Sequence, residues 1–283
     1  MDLVTFLDAL SAKRRKLGLP SSHLGASIRN LIRPPGVCIM VDGLGIWGSE
    51  THNRYFLDSV RQGTWEPYMC DLFRKLLRPG MNVLDIGANI GYYTLLSARA
   101  GARVHAFEPD ARNLRYLFRN LHTNRLTGNV TVVKKAISDT VGTDYFYEHE
   151  NLVESSLYSS LATGTATSVE CTTVDEYVGS DLHIDLIKMD IEGTELRALR
   201  GMERFISRSE THLEMFLECY PGGLEAAGAS GELLVDWLRA HNFAVMAIDE
   251  KARRLVPPDS IDLRAPSFGG ELVRAFNLYC SRN

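Results

Sequence analysis

Two rhythms of apolar residues alternate along the second part of the chain. Short runs such as Val104-His105-Ala106-Phe107 read as buried strands, and strands are expected at 82–86, 103–107, 130–134, 184–189, 212–218, 243–248 and 275–280. Between them, apolar residues recur at helical spacing, predicting helices at 90–100, 111–125, 192–206 and 231–241. In the second of these helices Leu114, Leu117, Phe118 and Leu121 make the inward stripe, and Asp110 suits its N-cap. In the third, Leu196, Leu199, Met202 and Ile206 do the same. Strands alternating with helices imply an α/β fold, with a doubly wound, mainly parallel, seven-stranded sheet covered on both faces.

The first part of the chain has a different pattern. Leu3, Phe6, Leu7 and Leu10 share one face of an expected helix over 2–16, and residues 17–36 carry glycines and prolines that break any regular element. Val37–Val41 reads as a strand outside the main sheet. A helix over 66–78 presents Met69, Leu72, Phe73, Leu76 and Leu77, with Pro67 in its first turn and Pro79-Gly80 ending it. Residues 144–148 and 167–172 predict an added β pair, separated by the polar stretch 149–166. The division expected is an N-terminal helical extension over 1–58 and one functional domain over 59–283. The extension packs on the domain or forms a homodimer contact.

Composition narrows the partners. A formal charge of −4 gives no footprint for a polyphosphate, so no nucleic acid is expected. The five cysteines are scattered and include no Cys-x-x-Cys, so buried thiols in a reducing, cytoplasmic setting are expected. Asp2 and Asp8 interrupt the first apolar run and the basic cluster Lys13–Lys16 follows it, which is the wrong order for a secretory signal. No apolar run reaches membrane-span length.

Candidate chemistry starts at Val83-Leu-Asp-Ile-Gly-Ala-Asn-Ile-Gly-Tyr-Tyr-Thr94. A strand ends in a tight turn at Gly87, and Gly91 permits a close approach. Glu108, at the end of the next strand, can accept from both hydroxyls of a ribose. The glycines do not follow the Gly-x-Gly-x-x-Gly spacing of a dinucleotide site, and no phosphate-binding loop is present. Asp85 would repel a pyrophosphate and suits a cation. S-adenosylmethionine meets both demands, with a cationic amino acid end and a ribose. Gly87, Ala88, Asn89, Gly91, Tyr92 and Thr94 line this turn, and their backbone N–H groups are expected to hold the cofactor's carboxylate.

Asp85–Thr94, Phe107-Glu108-Pro109, Ala136-Ile-Ser-Asp139, Thr173-Val-Asp-Glu176 and Lys188-Met-Asp-Ile-Glu-Gly193 resemble the FkbM-type class I methyltransferases. The resemblance covers about residues 60–220. It implies a Rossmann-like methyltransferase sheet, S-adenosylmethionine as donor (S-adenosylhomocysteine as product) and O-methylation of a sugar, a glycosylated metabolite or a polyketide-like natural product. It places the adenine near Ala136, Ile137 and Ser138, and the segment Trp65-Glu66-Pro67 beside the cofactor. For Glu66, a plain complement to the helix dipole is the competing reading.

The acceptor hydroxyl must lose a proton, and a carboxylate or histidine within reach would take it. Asp190, ending the fourth strand, is the first candidate base, with Lys188 as its ion-pair partner. Glu218, at the end of the fifth strand, is the second, and His149 the third. Glu192, read as opening a helix, and Ser155, Ser156 and Leu157, which match a loop patch in the family, are the substrate-side candidates. No metal is expected, with a divalent ion on Asp190 and Glu218 as the alternative. N-methylation, RNA 2′-O-methylation and a catalytically inactive cofactor-binding scaffold are the rival functions. The absence of an Asn/Asp-Pro-Pro-Tyr motif speaks against base or glutamine N-methylation.

Overall fold

The computed structural model describes residues 35–147, 166–208, 212–268, 270–272 and 274–282. The expected helix over 2–16 lies outside them. A hairpin opens the described chain, β1 (Val37–Val41) with β2 (Leu44–Gly48), closed by Asp42-Gly43. Both turn residues have positive φ, 50° and 73°, as a two-residue hairpin turn requires. Helices α1 (Arg54–Gln62) and α2 (Pro67–Leu76) follow. Helix α1 runs across residue 58, where the extension was expected to end.

The alternating core comes next. It comprises β3 (Asn82–Ile86), α3 (Tyr92–Arg99), β4 (Arg103–Phe107), α4 (Ala111–Thr123), β5 (Val130–Val133), β6 (Ala136–Ile137), β7 (Gly142–Tyr147), β8 (Ala166–Thr172) and α5 (Val174–Val178). Then follow β9 (Leu186–Met189), α6 (Glu195–Arg200), α7 (Glu203–Arg208), β10 (Leu213–Cys219), α8 (Pro221–Ala226), α9 (Gly231–Ala240) and β11 (Ala244–Asp249). The chain closes with β12 (Arg254–Val256), β13 (Ser267–Phe268), β14 (Glu271–Leu272) and β15 (Phe276–Arg282).

The main sheet has the order β12-β11-β15-β10-β9-β3-β4-β5. Strands β10, β9, β3, β4 and β5 run parallel, and β15 is inserted antiparallel between β10 and β11. The seven expected strands are present. The eighth, β12, was not expected and has three residues, too short to carry a period. The added pair β7–β8 forms as expected and gains β6 as a third strand.

Alternate strand residues enter different cores. Leu84 and Ile86 face one apolar layer with Ile187, Met189 and Leu217, whereas Val83 faces the other with Leu186, Phe216 and Phe73. The hairpin belongs to the second layer. Asn120 and Asn124 of α4 pair with the backbone of Trp47 and Gly45 at 2.6–3.0 Å, as a neighbouring strand would. This corrects the α4 stripe, since Asn120 is buried and Phe118 is 40% exposed. Asp110 caps α4 as expected, accepting from the Arg112 N–H at 2.7 Å.

The long helix expected over 192–206 is two helices. Gly201 passes so close to Ser138 that an added Cβ would lie 2.1 Å from its carbonyl oxygen. The Asp175 carboxylate then accepts from the N–H groups of Arg204 and Phe205 and starts α7. Cys70, Cys171, Cys219 and Cys280 are buried, free thiols.

Candidate active site

The carboxyl ends of β10, β9, β3 and β4 lie side by side, and the turns that leave β3, β4 and β9 contribute to the wall of a cleft. It holds about 910 Å³ of empty space, counting the part open to solvent. The wall includes Asp85, Gly87, Ala88, Asn89, Tyr92, Glu108, Pro109, Ala136, Ile137, Lys188, Asp190 and Glu192, all sequence candidates.

The two glycines of the first turn are required by contacts within the protein. Gly87 has φ 81°, and a Cβ there would sit 1.9 Å from the Asp190 carbonyl oxygen. Gly91 has φ 95°, and its Cβ would sit 2.4 Å from Leu117 Cδ1. The turn is thereby pressed against the end of β9, and α3 against α4. The turn's N–H groups are also taken. Gly87 and Ala88 donate to the Phe107 carbonyl at 3.0 and 2.9 Å, Asn89 to Glu108 Oε2 at 2.8 Å, and Gly91 to the Ala88 carbonyl at 2.8 Å. Four of the N–H groups expected to hold the cofactor's carboxylate are thus engaged within the protein.

Of those donors, Asn89 holds one oxygen of Glu108. Its other oxygen accepts from the Asp110 N–H at 2.8 Å, and the group is 4% exposed. Burial pushes its carboxyl up to about 7, assisted by the charge of Asp110 and opposed by the N–H donors. Asp85 is buried too, accepts from the Thr94 hydroxyl, and is raised by burial. Asn89, at φ 52°, has a buried Oδ1 with no hydrogen-bond partner.

Lys188 is the cation at the centre. It sits 2% exposed in a strand of buried residues, level with Asp85 on the neighbouring strand. Its ammonium donates to Asp190 Oδ2 at 2.6 Å and lies 5.1 Å from the centre of the Tyr93 ring. Burial opposes its charge. The carboxylates of Asp190, Glu66 and Asp85 outweigh that and hold its pKa above the ordinary lysine value.

Glu66 does not cap α2, and it is not among the residues of the cleft wall. The first N–H groups of α2, on Tyr68 and Met69, donate to Glu250 at 2.7 and 2.9 Å, and Glu66 itself makes no cap. Its carboxylate instead accepts from the Tyr93 hydroxyl and from Asn277 Nδ2, both at 2.5 Å, beside Lys188. Its backbone is left-handed, φ 40°.

Glu192 also departs from expectation. Helix α6 starts at Glu195, and Glu192 lies before it in a left-handed turn, φ 55°. One carboxylate oxygen each of Asp190, Glu192 and Glu218 lies within 4.8 Å of the others. Glu218 is half-buried, and its covered Oε2 has no hydrogen-bond partner. Burial, then the charges of Asp190, Glu192 and Glu195, hold its carboxyl well above the usual range. This spacing suits either a shared proton or a cation. Glu195, unread in the sequence, is fully buried and accepts from Ile191 N–H and Gly193 N–H at 3.1 and 3.2 Å.

Other candidates stand away from the cleft wall. Thr94 serves Asp85 from within the core, Gly91 seats α4, and Ser138 is buried with its hydroxyl on Asp139. Asp139, the last residue of the Ala136–Asp139 motif, is paired with Arg197 at 3.1 Å. His149, Ser155, Ser156 and Leu157 lie outside the described residues. Phe56, Tyr93, Asn113 and Lys135 join the wall without having been singled out, and Trp65 of the segment Trp65-Glu66-Pro67 lies there too. Among the described residues no helix is long and apolar enough to cross a membrane.

A mainly parallel sheet with acids at the end of its first strand and after its second, and no phosphate-binding loop, is consistent with a Rossmann-like methyltransferase. The model of the Methyltransferase FkbM domain matches residues 85–245, more than half of the chain, and the chain belongs to that family. It is similar to 31-O-demethyl-FK506 methyltransferase FkbM of Streptomyces tacrolimicus, 26% identical over 60% of this chain and 75% of that one. It is also similar to hexuronic acid methyltransferase AglP of Haloferax volcanii, 29% identical over 42% of this chain and 48% of that one. Among solved structures, Methyltransferase FkbM from Methylobacillus flagellatus KT aligns over 80% of this chain and 54% of its own, at 18% identity and a TM-score of 0.44.

Proposed function

We propose that this enzyme moves the methyl group of S-adenosylmethionine to a hydroxyl of a sugar, a glycosylated metabolite or a polyketide-like small molecule. One continuous cleft carries the reading. It joins Glu108 and the apolar patch Phe107, Ala136 and Ile137 at one part of its wall to Asp85, Lys188 and Asp190 at another. The residues fit the donor: Glu108 keeps lone pairs for two ribose hydroxyls, the apolar patch suits adenine, and the orphaned Asn89 Oδ1 and the Asp85 carboxylate suit an ammonium group. The two named relatives act on a demethylated FK506 and on a hexuronic acid, which supports oxygen as the acceptor atom.

When bound, the donor supplies an electrophilic methyl group with a neutral thioether to leave. The chain supplies alignment, which accounts for roughly 7–11 kcal/mol of acceleration in favourable cases. Asp190 takes the hydroxyl proton. Lys188 holds one of its oxygens and leaves the other for the acceptor. Glu218, its carboxyl held well above the usual range by burial and its acidic neighbours, orients the acceptor. Calorimetric titration with S-adenosylhomocysteine against NAD tests the donor, and a mass-spectrometric screen with labelled methyl donor tests the acceptor. Binding of NAD but not of S-adenosylhomocysteine would remove the proposal.

A further inference from the structure

The acceptor's charge can be read from the same cleft, given the hydroxyl-methylation reading above. Phe56, Trp65 and Tyr92 line one part of it, with ring centres 4.8 Å apart for Phe56–Trp65 and 5.9 Å for Phe56–Tyr92. Phe56 and Trp65 are only half-buried, so they keep apolar surface for a ligand. Asp190 and Glu192 line the cleft as well, with Glu218 beside them. The two lysines of the wall are already committed. Lys188 is on Asp190 at 2.6 Å, with Asp85 and Glu66 also drawing on its charge, and Lys135 is on Glu170 at 3.2 Å. Burial and three neighbouring acids hold the Glu218 carboxyl well above the usual range.

We infer that the acceptor is uncharged or cationic beside its reacting hydroxyl, and that Asp190 and Glu192, with Glu218 beside them, reject acceptors bearing a carboxylate there. The aromatic wall takes the apolar face of the acceptor, and the carboxylates accept its hydroxyl protons. Discrimination comes from repulsion of the wrong ligand as much as from attraction of the right one.

The test uses pairs of glycosides that differ only in a hydroxymethyl group against a carboxylate, with labelled methyl donor. Titration with S-adenosylhomocysteine runs alongside. The neutral member should be methylated at least about tenfold faster. In the double variant Glu192→Gln with Glu218→Gln this ratio should shrink by about tenfold, whereas Trp65→Ala should raise KM for both members alike. Equal or faster methylation of the carboxylate member, or an unchanged ratio in the double variant, would overturn the inference. So would methylation of the carboxylate member only with added Mg²⁺, which would place a divalent ion on the three acids. S-adenosylhomocysteine binding with neither member methylated removes the sugar acceptor and this inference together. Absence of S-adenosylhomocysteine binding removes the methyl-donor reading itself.

Discussion

Lowering the pH from 8 to 6 should weaken S-adenosylhomocysteine binding by about tenfold, because Glu108 gains a proton. Its carboxyl is pushed up to about 7 by burial in the free protein. Ribose hydroxyls donate to the ionised form, so bound ligand lowers that pKa and binding releases a proton. The sign follows: affinity rises with pH through about 7 and is lost as pH falls. With a pKa near 7, roughly nine-tenths of the groups are ionised at pH 8 and one-tenth at pH 6, a difference of about 1.3 kcal/mol.

Glu108→Gln should flatten the profile and also cost about 2–4 kcal/mol at pH 8. Glu108 accepts one N–H on each oxygen, from Asn89 and Asp110, so an amide turns its own NH₂ against one of them. Calorimetry in two buffers of different ionisation enthalpy counts the released proton, and thermal melts separate lost affinity from lost stability. Glu195 is also raised to about 7 but is absent from the cleft wall, so Glu195→Gln should keep the slope. Wild-type affinity that is flat, or that rises as pH falls, would refute the ribose role.

Asp190→Asn should lower turnover by roughly 10²–10⁴ with donor affinity nearly unchanged. Glu218→Gln, which keeps a neutral hydrogen-bond donor, should lose less, and single-turnover rates that reverse this order would reverse the roles. Gly87→Ala forces a Cβ to 1.9 Å from the Asp190 carbonyl at positive φ, and should cost about 2–4 kcal/mol of stability. A wild-type denaturation midpoint would show that the turn relaxes freely. Glu195 is raised from 4.5 to about 7 by burial, so its stabilising proton is fully present below pH 4.5 and lost as pH rises through 7. Glu195→Gln should therefore reduce the fall in stability between pH 5 and 8, and an unchanged pH slope in urea melts would sink that account.

What was legible in the chain is what has a short period. The seven strands, the two-residue offset of Lys188 and Asp190, and the Asp85-to-Glu108 spacing all depend on one or two neighbouring elements. Helix α6 ending at Gly201 depends on Ser138, some sixty residues earlier, and no local pattern marks that approach. The N-terminus of α2 is similar. A carboxylate at its cap position invites the dipole reading, yet Glu250 arrives from the far end of the chain to take the N–H groups. Glu66 is thereby left for Tyr93 and Asn277.

That exchange changes how the site's charges balance. In the sequence, Lys188 appears beside a single carboxylate, Asp190. Folding surrounds it with Asp85 from the neighbouring strand and Glu66 from the segment before α2, and seals it from water. A buried lysine with one acid would be inclined to lose its proton; one among several acids keeps it. Lys188 donates to one Asp190 oxygen at 2.6 Å, while burial and neighbouring acids hold the Glu218 carboxyl, a little farther along the same edge, well above the usual range. Glu66 adds to the charge that Asp190 supplies to Lys188. In the proposed mechanism Asp190 is therefore the base and Glu218 the residue that orients the acceptor.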